Sequence, residues 1–284
     1  MLKDLGVKNE KETSKGLESA PISLKEKEAI LKSGIFEQEK DLMGGCSGGA
    51  MHVKIKDDGS GVFKPYSNHY LYSLEEKEGN INRERAVFLI DRSLGFNLVP
   101  PTIVRCKKNA NGEEEKGSFQ EFITDSTTAS GFDTKKVQQI NNNDRYAIAV
   151  LDVIIANNDR CSANFLIKGE KIYAIDHGLS LESRNVFQSN IINFLSFSSR
   201  EIIPDITKES ISKDVLDCMD TFLRSKSLQI ILRQQLGELI GEKLALAYIE
   251  RIKAFRESIN NSQTLDEQKF KTFLLKNKET ISKN

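Results

Sequence analysis

The chain has 284 residues, of which 38% are hydrophobic and 29% are charged, a composition typical of globular proteins. Lysine plus arginine and aspartate plus glutamate number 41 each, so the formal net charge is zero, which argues against a general nucleic-acid-binding protein. The four cysteines form no CxxC pair and only three histidines are present, which argues against a structural zinc site and a disulfide framework. The longest apolar stretch, residues 147–156, is far shorter than the roughly 20 residues of a membrane-spanning helix.

These features also bear on location. The first residues lack the apolar core of a signal peptide, and thiols without pairing motifs are expected to stay reduced. A cytoplasmic location is therefore expected, and export by a route without a cleavable signal is the alternative. The sequence indicates no particular oligomeric state.

Residues 1–40 predict a polar N-terminal tail followed by a short helix. The first 22 residues are rich in Lys, Glu and Ser, which is typical of a loose segment. Ser23, with Glu26 three positions later, has the pattern of a capping box that begins a helix, and Gly34 would end it.

Residues 41–123 predict a β-rich lobe with one helix. A glycine cluster precedes the alternating segment 51–56, and a turn then leads to a strand that ends at Lys64. Glycines let backbone N–H groups approach phosphates closely, so we predict that the cluster contacts a nucleotide, with a simple tight turn as the alternative. The cluster residues predicted to do so are Gly44, Gly45, Ser47, Gly48 and Gly49.

The remainder of this lobe consists of a helix and two strands. Apolar residues at helical spacing predict a helix over residues 82–94, with Glu84 at the edge of its apolar stripe. Residues 102–106 and 118–123 have the pattern of strands.

Residues 124–284 predict a helical lobe with a helical C-terminal extension. Residues 143–156 have the pattern of a buried helix, and its Asp152 is expected to be hydrogen-bonded and to brace the loop that follows. Two short strands, 165–168 and 171–175, form a hairpin around Gly169, and apolar residues at helical spacing dominate after residue 205.

The polar residues around this hairpin are the candidate catalytic and metal-binding residues. Asn164 follows Asp159 by five positions, and Asp176 comes directly after the hairpin, before His177 and Gly178. Protein kinases supply a catalytic carboxylate and two metal ligands from a D-x-x-x-x-N loop and a D-x-G sequence after the next hairpin. Taken alone, each motif is equally compatible with a polar turn, whereas the two at this spacing predict phosphoryl transfer.

Lys64 and Glu84 extend this pattern into the first lobe. A strand lysine paired with a helix glutamate holds the ATP phosphates in kinases. A surface lysine and an exposed glutamate are the alternative for such a pair taken alone. The order of the motifs along the chain favours the paired arrangement.

The chain resembles the phosphatidylinositol 3-/4-kinase-like branch of the kinase superfamily, which has bacterial members and is distantly related to HipA-like kinases. The resemblance covers roughly residues 44–180, and its matching segments are 61–65, 84–86, 94–102, 117–120, 158–164 and 174–178. It implies an α+β, two-lobed protein-kinase-like fold with a β-rich N-lobe and an α-helical C-lobe, using ATP with Mg²⁺ or Mn²⁺.

The resemblance also implies roles for particular residues. Lys64 and Glu84 would engage the ATP phosphates, Asp159 would be the catalytic carboxylate, and Asn164 and Asp176 would bind the metal. The residues expected to line the adenine near the hinge are Gln120, Glu121, Phe122 and Ile123.

One position departs from the pattern: Cys161 stands where the family usually has histidine, which raises the alternative of a pseudokinase. AMP transfer by the same residues, with ATP reversed in the cleft, is a further alternative.

The expected acceptor is a protein Ser, Thr or Tyr, and an inositol lipid is the runner-up. Lipid kinases of this branch tend to have basic residues after the D-x-G. Here residues 179–199 contain only Arg184, with Arg200 next.

Overall fold

The computed structural model describes residues 23–42, 49–56, 59–65, 74–108, 111–129, 137–182, 186–187 and 202–283. The N-terminal lobe contains α1 (Leu24–Ser33), β1 (Phe36–Asp41), β2 (Met51–Ile55), β3 (Ser60–Pro65), α2 (Leu74–Leu94), β4 (Thr102–Lys108) and β5 (Glu114–Glu121). Its five strands form one antiparallel sheet in the order β1-β2-β3-β5-β4. The predicted β-rich lobe is therefore present.

The second lobe is mainly helical. It contains β6 (Thr127–Thr128), α3 (Asn142–Ile154), a 3₁₀ turn (Ser162–Asn164), β7 (Phe165–Lys168), β8 (Lys171–Ala174), α4 (Lys213–Arg224), α5 (Lys226–Ile240), α6 (Glu242–Glu257) and α7 (Glu267–Lys283). Strands β6, β7 and β8 form a small antiparallel sheet. A large apolar core joins α2 to α3 and to the C-terminal helices. The predicted two-lobed α+β fold is confirmed.

Two elements differ from the sequence-based expectation, and a third agrees with it. Strand β1 lies in a segment that was predicted to contain only a tail and a short helix, and it pairs with β2. The sheet therefore begins before residue 41. Helix α2 begins at Leu74 rather than at residue 82. Helix α1 has the predicted capping box, in which Ser23 and Glu26 each bind the other's backbone N–H.

The two faces of the N-lobe sheet differ in character. One face packs into a small apolar core built from Leu31, Val53, Ile55, Phe63, Ile103 and Phe119. Glycine is needed on this face: a Cβ at Gly61 would lie 2.4 Å from the Phe119 ring, and one at Gly117 would lie 2.5 Å from the Phe63 ring. The opposite face carries Lys64, whose side chain points toward α2 and the second lobe.

Strand register determines which other residues share the face of Lys64. Residues two apart on a strand, and residues directly opposite on neighbouring strands, point to the same face. Val62 lies two positions from Lys64 and pairs with His52 on β2 and with Gln120 on β5. The space between the lobes is therefore faced by four side chains: His52, Val62, Lys64 and Gln120.

Among the residues described above, no helix has the length and apolarity needed to cross a membrane.

Candidate active site

The Lys64 side chain joins the two lobes. Its Nζ lies 2.6 Å from Glu84 Oε1 on α2 and 3.0 Å from Asp176 Oδ1, which follows β8. Burial alone would lower the pKa of Lys64, but the charges of Asp176 and Glu84 outweigh it and raise the pKa above its usual value. Lys64 is thus a fixed ammonium at the interface between the sheet and the second lobe.

Glu84 connects this lysine to the Asp-His-Gly segment. Its Oε1 accepts from Lys64, and its Oε2 accepts the backbone N–H of His177 at 3.1 Å. Burial would raise the pKa of Glu84, but the Lys64 charge and the hydrogen bonds hold it well below the usual range. Glu84 therefore stays ionised and holds the residue after Asp176 against α2.

His177 is a neutral part of this framework. Its Nε2 lies 3.0 Å from Nη2 of Arg160, and because a guanidinium can only donate, this nitrogen must accept. The proton of the ring is then on Nδ1, which lies 3.7 Å from Glu84 Oε2. Burial is the main cause that lowers the pKa of His177. The ring therefore acts as a buried spacer between Glu84 and Arg160.

A buried ion pair organises the loop after α3. Both carboxylate oxygens of Asp152 accept from Arg160, at 2.9 Å each, and Oδ1 also accepts from the Asn157 amide at 2.9 Å. Arg160 Nη1 donates to the carbonyls of Asn164 and Ile175, at 2.8 and 3.0 Å. The brace expected of Asp152 is present, and it ties the loop to the chain just before Asp176.

Replacing Arg160 by alanine is expected to lower the free energy of unfolding by about 3 to 5 kcal/mol, because Asp152 would remain as a buried charge without its partner. Chemical denaturation monitored by circular dichroism measures this difference. Arg224→Ala is the control, since Arg224 is exposed in the last turn of α4. Equal midpoints for the two variants would show that the ion pair does not support the loop.

Asp159 lies in the same loop with its backbone held on both sides. Its N–H donates to Asn157 Oδ1 at 3.0 Å, and its carbonyl accepts from the Asn164 amide at 2.8 Å. Asp159 is exposed to solvent, but partial desolvation of its carboxyl group, followed by the charge of Asp176, raises the pKa of Asp159. Among the residues described above, its carboxylate makes no hydrogen bond or ion pair. The carboxylate is therefore available to an incoming group.

The donor set fits a hard divalent cation. Because the nitrogen of the Asn164 amide is used by the Asp159 carbonyl, its oxygen is the remaining acceptor of that side chain. Asp176 keeps 40% of its side chain exposed, and only one of its oxygens binds Lys64. Mg²⁺ and Mn²⁺ are bound by few protein oxygens of this kind and complete their coordination with phosphate and water oxygens. Asn164 and Asp176 would hold such an ion.

The backbone at Asp176 supports the same reading. Its φ of 61° lies in the left-handed region, which is uncommon for residues other than glycine and is most tolerable for Asn and Asp. Such strained residues are concentrated at functional sites.

The predicted glycine loop connects β1 and β2. Asp41 at the end of β1 pairs with Met51 at the start of β2, and the glycine cluster lies between these two residues in the sequence. Gly49 has a φ of 100°, which requires glycine. The other predicted phosphate-contacting residues, Gly44, Gly45, Ser47 and Gly48, lie outside the described residues.

The predicted adenine-lining residues have different environments. Gln120 is buried on the Lys64 face, where its amide donates to the Thr102 hydroxyl at 2.8 Å. Glu121 points to the opposite face and pairs with Lys27 at 2.5 Å. Ile123 is buried, and its carbonyl accepts from the Ser126 hydroxyl. Of these three residues, Gln120 is therefore the one whose side chain lies on the Lys64 face.

Phe122 faces a residue that the sequence analysis did not single out. Its ring centroid lies 4.4 Å from that of His52 on β2. The alternation of the segment 51–56 was the available signal, because it places His52 on the same face as Lys54, and the register with β3 then aligns that face with Lys64. His52 and Phe122 form an aromatic pair between β2 and the segment that follows β5.

Comparison with known proteins supports the fold and adds a short sequence match. No protein-family model matches the chain. The chain is 33% identical over 122 residues to "Phosphatidylinositol 4-kinase gamma 4" of Oryza sativa subsp. japonica, a match that covers 36% of this chain and 20% of that protein. The chain thus spans about a fifth of the curated relative.

Two solved structures of the Golgi casein kinase are similar over most of the chain. The structure described as having Mn/ADP bound matches with a TM-score of 0.50 and 15% identity, covering 89% of this chain and 74% of that one. A second structure of that kinase matches with a TM-score of 0.51 and 16% identity, covering 90% and 75%. The chain has a kinase-like fold. Its interlobe cleft brings together five of the predicted site residues: Lys64, Glu84, Asp159, Asn164 and Asp176.

Proposed function

We propose that the chain is an ATP- and divalent-metal-dependent kinase that transfers the γ-phosphoryl group to the hydroxyl of a protein Ser, Thr or Tyr. The observation that carries the proposal is the position of the Lys64 ammonium, within 3.0 Å of both Glu84 and Asp176 across the lobes. Kinases require such a lysine–glutamate pair and a metal-binding aspartate together.

Each residue has a role that follows from its environment. Lys64 neutralises the α- and β-phosphates, and Glu84 keeps its ammonium in place. Asp159 accepts a hydrogen bond from the acceptor hydroxyl and orients it toward the γ-phosphorus. Asn164 and Asp176 would hold a divalent ion, which would supply positive charge beside the phosphates of the nucleotide. The brace of Arg160 and Asp152 keeps the loop of Asp159 in this geometry.

The solved structure described as having Mn/ADP bound supports the choice of nucleotide and metal, because it shares the fold of this chain. The match to the rice phosphatidylinositol 4-kinase supports a kinase-like family. Membership of the phosphatidylinositol 3-/4-kinase-like branch is part of the proposal and rests on the sequence motifs of residues 61–178.

The acceptor class rests on separate arguments. The scarcity of basic residues between 179 and 199 disfavours an anionic lipid headgroup, and the structural neighbour is described as a casein kinase, which favours a protein acceptor. The lipid reading is kept as the second candidate because of the rice relative.

Labelled ATP distinguishes the candidates. The chain is incubated with Mn²⁺, either γ-labelled or α-labelled ATP, and either casein or phosphatidylinositol vesicles as acceptor. We expect label from the γ position on protein. Label from the α position would indicate AMP transfer, label on the lipid would support the second candidate, and no transfer to any acceptor would favour a pseudokinase.

Replacing Lys64 by alanine is expected to lower kcat/KM for ATP at least about tenfold, because one charge-assisted contact to phosphate is worth more than 1.4 kcal/mol in a sheltered site. Initial rates at varied ATP measure this change. Lys54→Ala is the matched control, since Lys54 lies one strand earlier and is exposed. Equal and mild effects of the two substitutions would show that β3 does not hold the phosphates.

A further inference from the structure

Helices α1 and α2 lie on opposite faces of the N-lobe sheet. Leu31 of α1 packs with Phe63 and Phe119 on one face. Lys64 points to the other face and meets Glu84 of α2. Because the sheet separates the two helices, direct contact between them has to pass its edge strand, β4.

The carboxylate of Glu28 makes such a contact. Glu28 of α1 binds Arg85 at 2.6 Å through Oε1 and binds Arg92 through Oε2. The two arginines are seven residues apart on α2, which places them on one side of the helix, two turns apart. Arg85 also donates to the carbonyl of Thr102, the first residue of β4, at 2.5 Å. Glu28 and its two arginines thus connect α1 to α2 past the edge strand β4.

Helix α1 is fixed to the sheet by other groups as well. Leu31 is 3% exposed, and Arg105 Nη1 of β4 donates to the carbonyls of Leu31 and Gly34 at 2.8 and 3.1 Å. Lys27 pairs with Glu121 at the end of β5. These contacts do not involve Glu28, so α1 should stay docked when the Glu28 carboxylate is removed.

The residues bound by Glu28 are coupled to the site. Arg85 directly follows Glu84 in α2, so any shift or rotation of this part of the helix also moves Glu84 relative to Lys64. Partly exposed ion pairs contribute little to overall stability. The ion pairs of Glu28 can still have a large effect on the position of α2. They form only when α2 is in the position seen here, so they favour this position over a shifted one.

We propose that Glu28 is a positioning residue that holds α2 where Glu84 pairs with Lys64. We call the ion pairs of Glu28 with Arg85 and Arg92 the clasp. The inference rests on the proposed kinase function for its effect on activity, but the clasp itself is a property of the fold. Kinase activity depends on the lysine–glutamate pair being in place. Glu28 acts on catalysis only through Glu84.

Glu28→Gln tests the clasp, because it keeps the size of the side chain and removes its charge. Lys25→Gln is the matched control, since Lys25 is an exposed residue of the same helix. For both variants and the unmodified chain we would measure kcat and KM for Mn–ATP, the melting temperature, and hydrogen exchange of the amides of α2. Arg92→Gln, made alone and with Glu28→Gln, approaches the contact from the other helix.

We expect Glu28→Gln to lower kcat about tenfold, as for a tenfold shift in the population of the engaged helix, with little change in the melting temperature. Amides of α2 should exchange faster, those of α6 should not, and the double variant should be no worse than the single ones. Unchanged exchange in α2, or a uniform rise in exchange with a large fall in melting temperature, would overturn the positioning role.

The exchange measurement separates this inference from the proposed function. If the chain transfers no phosphate at all, the proposed function fails, while faster exchange confined to α2 still supports the clasp. If the chain is an active kinase and Glu28→Gln has the kcat of the unmodified chain, the clasp is wrong and the kinase proposal stands.

Discussion

Replacing Asp159 by asparagine is expected to lower turnover by about 10²- to 10⁴-fold, the usual contribution of a group that assists proton transfer. The affinity for Mn–ATP should change little, because the Asp159 carboxylate has no contact with Lys64 and is available to the acceptor. Asparagine has nearly the same shape, so the backbone hydrogen bonds of the loop should remain. Rapid-mixing assays for turnover and calorimetric titration for affinity measure the two effects separately.

Asp266→Asn is the matched control for this substitution. Asp266 is exposed at the start of α7, where its side chain accepts from the N–H of Lys269, and asparagine caps a helix about as well. The control should retain full turnover. Full turnover in Asp159→Asn as well would remove Asp159 from the mechanism.

Replacing Asp176 by asparagine is expected to abolish measurable turnover and to weaken metal-dependent nucleotide binding. One oxygen of Asp176 binds Lys64, and in the kinase proposal the other binds the metal, so loss of the charge should affect both. Asparagine is among the residues that tolerate the left-handed φ of 61° at this position best, so the variant should fold. Titration with Mn–ATP and with metal-free ATP separates loss of the metal site from loss of the nucleotide site.

Asn164→Ala should be milder than Asp176→Asn, because it removes a neutral side chain, proposed as a metal ligand, and one hydrogen bond to the Asp159 carbonyl. A correctly folded Asp176→Asn protein with full activity would contradict the kinase proposal.

The central residues could be predicted because their spacing reflects local geometry. Asp159 and Asn164 lie in one loop, where the Asn164 amide binds the Asp159 carbonyl. The hairpin of β7 and β8 then returns the chain so that Asp176 follows within reach of the same loop. A short separation in sequence therefore implies a short separation in space, and a motif can carry the prediction.

Other features depend on contacts that no local pattern reveals. Strand β1 has the sequence FEQEKD, which lacks regular apolar alternation, and it forms because it pairs with β2 and packs Phe36 against Phe119. The first turns of α2 are rich in Glu and Lys, so no apolar stripe marked them. Glu28 and its arginines are 57 and 64 residues apart in sequence.

The identity of the nucleotide product tests the central claim most directly. The purified chain, in excess over ATP with Mn²⁺ and casein, is sampled over time, and ATP, ADP, AMP and pyrophosphate are separated and quantified. The kinase proposal predicts ADP as the product, with the γ-phosphate on casein and a rate lowered about 10²-fold or more in Asp159→Asn. Release of pyrophosphate, or ADP formation no faster than with Asp159→Asn, would contradict it.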